Sequence, residues 1–202
     1  FMNDRFTEHK NTIFFGIEQL ALPFDREDVS DAPVTTIING ALVVVDGKIV
    51  YAGEYDKLPA EFNSDGVNKV DLSGKSVIPG LVDSHTHILF AGDRIMEMAM
   101  RSRNETYESI AEKGGGIVNS VAGIQNSSIE QLIEISLTRL NKMVKKGTTT
   151  VEIKSGYGLN PELEIKMLKA IRSLSEKSSV TVKATVLAHV IPKDHRDNRA
   201  QY

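Results

Sequence analysis

Cysteine is absent from the 202 residues. Disulfides and thiolate metal ligands are therefore excluded, and a reducing compartment suits the chain. Long apolar runs are missing as well. No stretch approaches the roughly 18–20 residues needed to span a bilayer, and the first ten residues, FMNDRFTEHK, lack the apolar centre of a signal peptide. A cytoplasmic setting is the expectation. Charge of one sign is also lacking: 24 Lys and Arg stand against 27 Asp and Glu, for a net charge of −3. That balance gives no concentrated basic surface of the kind nucleic-acid-binding domains carry. What is present, 41% hydrophobic and 25% charged residues, matches a soluble globular protein. The length allows one larger domain or two small ones, with enough chain to bury a core.

The first part of the chain reads as β-structure. VTTIING (34–40) and ALVVVDGKIVYAG (41–53) are rich in β-branched residues, and Asp46-Gly47 between two apolar runs predicts a type I′ hairpin. A second pair of short runs, NKVDL and KSVIPG, flanks Ser73-Gly74. Short strands with tight turns and no helical period predict a small sandwich or sheet over residues 1–79.

After Pro79 the pattern changes. Ser127 with Glu130, or Ser128 with Gln131, can form a capping box at the start of a helix over 129–146. Leu132, Ile133, Leu140, Met143 and Val144 give that helix an apolar stripe, and Gly147 ends it. TTTVEI (148–153) reads as a buried strand. Asn160-Pro161 caps a second helix whose Leu163, Met167, Ile171 and Leu174 share a face. TVKATVLAH (181–189) is the next strand, and LVDSH is the first. The order β, α, β, α, β predicts a parallel sheet with right-handed crossovers over 80–202.

Each of these strands is followed by chemically loaded residues: His85, His87 and Arg94 after the first, Lys154, Ser155 and Tyr157 after the second, and His189 at the third. The C-terminal ends of parallel strands form the functional edge of α/β folds. Side chains at i and i+2 of a strand point the same way, so His85 and His87 can offer one nitrogen each to a single ion. Zinc and iron suit such ligands. A bare HxH also occurs as two satisfied imidazoles in a polar loop, but here it ends a strand, follows PGLVD and precedes further apolar residues. Arg94 suits a substrate carboxylate, or a surface ion pair with Asp93 or Glu97. SGYG (155–158) sets Tyr157 between glycines, where a loop can approach a ligand or make a simple turn. Lys154 reads as a solvated strand end or a structural ion pair, and His189 as a ligand contact or a core imidazole. GGG (114–116) marks a loop and lacks the lysine and hydroxyl of a phosphate loop. His9 and His195 lie in polar surroundings and receive no role.

PGLVDSHTH resembles the metal-binding signature of the amidohydrolase superfamily. HTHILFAGDR, EMAMR, TYESIAEKGGGI, TTTVEIKSGYGL and the later AHVIP, in that order, resemble the imidazolonepropionase family, from about residue 35 to the end. GGGI together with KSGYG is the more specific part. The resemblance implies a small β-sandwich joined to a metal-bearing (β/α)8 barrel. It also implies hydrolysis of the cyclic amide 4-imidazolone-5-propanoate to N-formimino-L-glutamate, in histidine breakdown, by water activated on one Zn or Fe ion. It makes His85 and His87 metal ligands, and Arg94, Tyr157, His189 and Tyr107 contacts to a small substrate bearing a carboxylate. Family members are often dimers, so a homodimer of the whole protein is the corresponding expectation.

A (β/α)8 barrel takes roughly 250 residues, whereas 80–202 supply three βα units. The family's further His, Glu and Asp residues are not placed in this chain. The expectation is accordingly an N-terminal half with an incomplete barrel and no catalytic residue of its own, inactive alone. The alternatives are another cyclic amidase or deaminase of the superfamily, or a non-catalytic binding or assembly module.

Overall fold

Asp46 and Gly47 adopt φ values of 48° and 76°, the left-handed pair that a type I′ turn requires. They join β2 (Val34–Val45) to β3 (Lys48–Glu54) as an antiparallel hairpin. The computed structural model describes residues 11–23, 34–63, 66–93, 95–192, 195 and 197–201. The chain divides into two compact units, Phe1–Pro79 and Gly80–Tyr202.

The first unit is built on a strand the sequence patterns did not reveal, β1 (Asn11–Pro23). It pairs antiparallel with β2 along one edge and parallel with β4 (Asn68–Asp71) and β5 (Ser76–Val77) along the other. Its period-2 alternation is broken by an irregularity between Phe14 and Ile17, where Gly16 takes a φ of 67°. A Cβ there would stand 2.6 Å from the Ser73 hydroxyl. Ile13, Ile17 and Leu20 of β1, with Ala41 and Val43 of β2, are fully buried.

One expectation for this unit is corrected. The runs around Ser73-Gly74 do not form a hairpin; both lie along β1. Asp71 accepts the Ser73 N–H (2.8 Å) and hydroxyl (2.6 Å), and Lys75 N–H reaches Leu72 O, so the turn only offsets the chain sideways. These bonds hold the Asp71 carboxyl below the usual carboxylate range. Among the described residues the unit is one five-stranded sheet.

The second unit contains a parallel sheet in chain order, β6 (Leu81–Thr86), β7 (Thr148–Lys154) and β8 (Thr181–Thr185). Between β6 and β7 lie α1 (Ile95–Ser102), α2 (Tyr107–Glu112), α3 (Ile117–Asn126) and α4 (Ile129–Val144); α5 (Pro161–Lys177) joins β7 to β8. Ser128 and Gln131 close the capping box of α4, and Asn160 caps α5 with Pro161 at its first position. Val151 and Ile153 of β7 are fully buried in one cluster with Leu132 and Leu140 of α4 and with Met167, Ala170, Ile171 and Leu174 of α5. Alternation puts Glu152 and Lys154 on the opposite face.

The third strand is shorter than TVKATVLAH suggests. It ends at Thr185, because Thr185 O accepts the Ser155 N–H at 2.9 Å and the next available donor, Leu187 N–H, goes to the Ser155 hydroxyl (3.3 Å). His189 therefore sits on a loop beyond the ladder. No helix among the described residues is long and apolar enough to cross a membrane.

The energetics of this unit make a graded prediction. Leu174 is fully buried, so Leu174→Ala should lower the unfolding free energy of the second unit by about 2–5 kcal/mol. Ser128→Ala, which removes a cap, should cost only about 1 kcal/mol. Urea titrations followed by circular dichroism test the order; equal losses would contradict it.

Candidate active site

The edge begins with an irregular strand. Asp83 is in register with Val151 and Thr86 with Ile153, so β6 carries one extra residue between Asp83 and Thr86, around the first histidine. Such bulges re-aim the side chains that follow. Thr86, between the two histidines, is buried and donates its hydroxyl to Glu152 O on β7 at 2.5 Å. With Thr86 tied down, His85 and His87 stand together, ring centroids 5.5 Å apart.

The loop after β7 completes the cluster. Ser155 is fully buried. Gly156 has a φ of 114°, and a Cβ on it would meet Leu187 O at 2.9 Å and the His189 Cβ at 3.0 Å. Only glycine lets this loop lie against the segment that carries His189. Tyr157 then stands 5.3 Å from His87 and stacks on His189 at 5.6 Å, while His189 lies 5.2 Å from His87. Three side chains, His85, Tyr157 and His189, thus meet around His87.

Glu164 of α5 underpins that loop. Its Oε2 accepts the Gly156 N–H at 2.9 Å, and its Oε1 accepts those of Gly158 at 2.7 Å and Leu159 at 3.0 Å. The loop after the histidines is held in the opposite sense. Arg139 of α4 donates to the carbonyls of Ile88 (2.9 Å), Phe90 (2.5 Å) and Gly92 (3.4 Å) and lies 3.6 Å over the Phe90 ring.

Electrostatics favour neutral histidine at the centre. Burial, and then the nearby His189, His85 and Lys154, push the His87 pKa down; Glu152 opposes them. Neutral imidazole is the metal-binding form. His87 Nδ1 is buried with no hydrogen-bond partner in the protein, which fits a lone pair waiting for a ligand. The donor set thus fits a nitrogen-ligated ion, with His85 as second donor. No group of three or more His, Asp or Glu side chains placed to hold a metal occurs among the described residues.

Among the other residues singled out by sequence, Arg94 lies outside the described residues. Tyr107 is the first residue of α2, and its side chain is likewise not described. Lys154 forms an ion pair with Glu152, one of its two proposed fates. GGG 114–116 is a loop whose Gly116 N–H is bound at 2.8 Å by the buried Glu97. Sequence reading missed Glu152, Glu164 and Arg139. Glu164 had one signal, an acid in the first turn of a well-capped helix. Glu152 had only its i, i+2 spacing to Lys154, and Arg139 had none, since it acts on carbonyls far back in the chain.

No protein-family model matches the chain. It is 46% identical over 167 residues to the imidazolonepropionase of Brucella anthropi, covering 82% of the chain and 41% of that protein. Against the imidazolonepropionase of Serratia proteamaculans it is 39% identical over 195 residues, covering 96% of the chain and 46% of the relative. The chain therefore spans less than half the length of these curated relatives. In structure it resembles an atrazine chlorohydrolase from Arthrobacter aurescens, solved in complex with zinc. The TM-score is 0.54 at 15% identity, over 87% of this chain and 35% of that one. That likeness is one of fold.

Two predictions test how the edge is held. Arg139→Met removes the donor to the part-buried Phe90 carbonyl and one of the two donors to Ile88 O, and should destabilise the second unit by about 1–3 kcal/mol; a loss within error in urea titration would show that the clamp is dispensable. The second concerns pH. The Lys154 hydrogen bond, then that from Thr185, hold the Glu152 carboxyl below the usual range. Its contribution is therefore full above the ordinary glutamate value of about 4.3 and is lost as pH falls through the lowered folded value. Glu152→Gln should be less stable than the parent at neutral pH, with the gap closing on the acid side; a gap independent of pH would contradict the assignment.

Proposed function

Because the chain is 39% and 46% identical to two imidazolonepropionases over most of its own length, we propose that it forms one side of the active site of such an enzyme. The reaction is hydrolysis of the ring amide of 4-imidazolone-5-propanoate to N-formimino-L-glutamate. In this reading the three parallel strands are the first βα units of a (β/α)8 barrel. The observation that carries the proposal is the convergence of His85, His87, Tyr157 and His189 at one sheet edge.

His85 and His87 would hold the metal. Zinc is favoured by the zinc-bound structural relative, with iron the alternative. When bound, the ion supplies Lewis-acid chemistry that makes water a nucleophile near neutral pH. The chain's own residues bind and orient. Arg94, seven residues beyond His87, pairs with the propanoate carboxylate. A planar ring finds two aromatic faces in Tyr157 and His189, and the Tyr157 hydroxyl can donate toward an oxygen on which charge develops. Tyr107 is a further substrate contact. A homodimer in the cytoplasm completes the reading.

The test uses the full-length enzyme that carries this sequence, following loss of imidazolonepropanoate absorbance. Arg94→Met should raise KM roughly 10–100-fold, the value of a charge-assisted pair, with a smaller change in kcat. His87→Ala should lose bound metal by elemental analysis. A metal-loaded enzyme without turnover would sink the reading.

A further inference from the structure

Tyr157 occupies a short loop that makes no regular ladder, yet its ring is placed against two histidines. Ser155 fixes only the entrance of that loop, through Thr185 O and the Leu187 N–H. Beyond it, the N–H groups of Gly156, Gly158 and Leu159 all converge on one carboxylate, Glu164 of α5. The amides on either side of Tyr157 are therefore held by the same group. The grip is close: a Cβ on Gly158 would stand 2.5 Å from the Glu164 N. It also holds Leu159, a non-glycine residue, at a φ of 59°, a conformation that persists only where its surroundings enforce it.

We propose that Glu164 is the positioning residue for Tyr157: by binding three loop N–H groups, its carboxylate sets where the ring stands against His87 and His189. The chemistry requires an acid. Oε1 takes two donors and Oε2 a third, whereas an amide at this position turns an NH2 donor toward one of them. The importance of this placement for substrate rests on the function proposed above; the placement itself does not.

The experiment is ¹⁹F NMR of the full-length protein that carries this sequence, labelled with 3-fluorotyrosine, in which the Tyr157 line is the one lost in Tyr157→Phe. In the parent protein the rings of His87 and His189 should displace that line from its unfolded position. Glu164→Ala should return it there while the other tyrosine lines stay in place. A Tyr157 line that does not move would overturn the proposal.

Glu164→Gln is the milder variant, and it decides the matter if the alanine variant unfolds and all the tyrosine lines shift. It should move only the Tyr157 line, part of the way, and speed amide exchange at Gly156 roughly ten-fold or more, as loss of one charge-assisted bond implies. An unmoved line with unchanged exchange would again count against it. In the full-length enzyme, Glu164→Gln should raise KM, and the Glu164→Gln/Tyr157→Ala double variant should be no worse than Tyr157→Ala alone. Equal and additive losses would assign Glu164 a purely structural role. The fluorine readout uses no substrate. An enzyme that leaves imidazolonepropanoate intact therefore sinks the function and not this assignment, whereas an unmoved line sinks this assignment alone.

Discussion

Peptide groups that leave a β-ladder must find other partners, and at the C-terminal edge of the β6–β7–β8 sheet those partners are charged side chains of the helices. An N–H or carbonyl buried without a partner costs about 1–3 kcal/mol, so a loop that is both irregular and half-buried needs substitutes for the ladder. Glu164 accepts from three N–H groups of the 156–159 loop, and Arg139 donates to three carbonyls of the 88–92 loop. Lys166 follows the same logic at the end of α3, donating to Ile124 O and Ser127 O. The signs are matched to the need: an acid where N–H groups are exposed, cations where carbonyls are. The loops bearing the aromatic cluster are thereby held by helices whose own positions are set by the apolar core.

That core and the charged face share single strands. On β7, Val151 and Ile153 are sealed under α4 and α5, while Glu152 and Lys154 pair on the other side and Thr185 of β8 joins them at 2.5 Å. Period-2 alternation lets one strand serve both purposes. It also places a carboxylate and an ammonium near the histidines, where their fields act on His87 in opposite directions. Burial decides the outcome, and the imidazole is held toward its neutral form.

The elements legible in the sequence were those specified by local chemistry. Asp46-Gly47, Ser128-Gln131 and Asn160-Pro161 are complete signals within four residues, and each forms the turn or cap it predicts. The parallel order of three strands followed from their alternation with helices. The convergence of His85, His87, Tyr157 and His189 followed from a general rule about strand ends. β1 was hidden because a glycine bulge breaks its alternation. The early end of β8 was hidden because it depends on Ser155, thirty residues away. Glu152, Glu164 and Arg139 look like ordinary surface charges in sequence; each is identified as structural only by its partners.

The middle residue of the HTH triplet shows how the two levels meet. Side-chain alternation makes a shared orientation of His85 and His87 possible, but β6 is irregular at that point, with an extra residue between Asp83 and Thr86. A bulge there would leave the direction of the following side chains loosely specified. Thr86 removes that freedom by turning inward and bonding the β7 backbone at Glu152. A serine could make the same bond, but threonine also brings a methyl group and a restricted χ1. The spacer of the motif is therefore part of the site: it converts an irregular strand end into a fixed pair of imidazoles, with His87 in the aromatic cluster and His85 beside it.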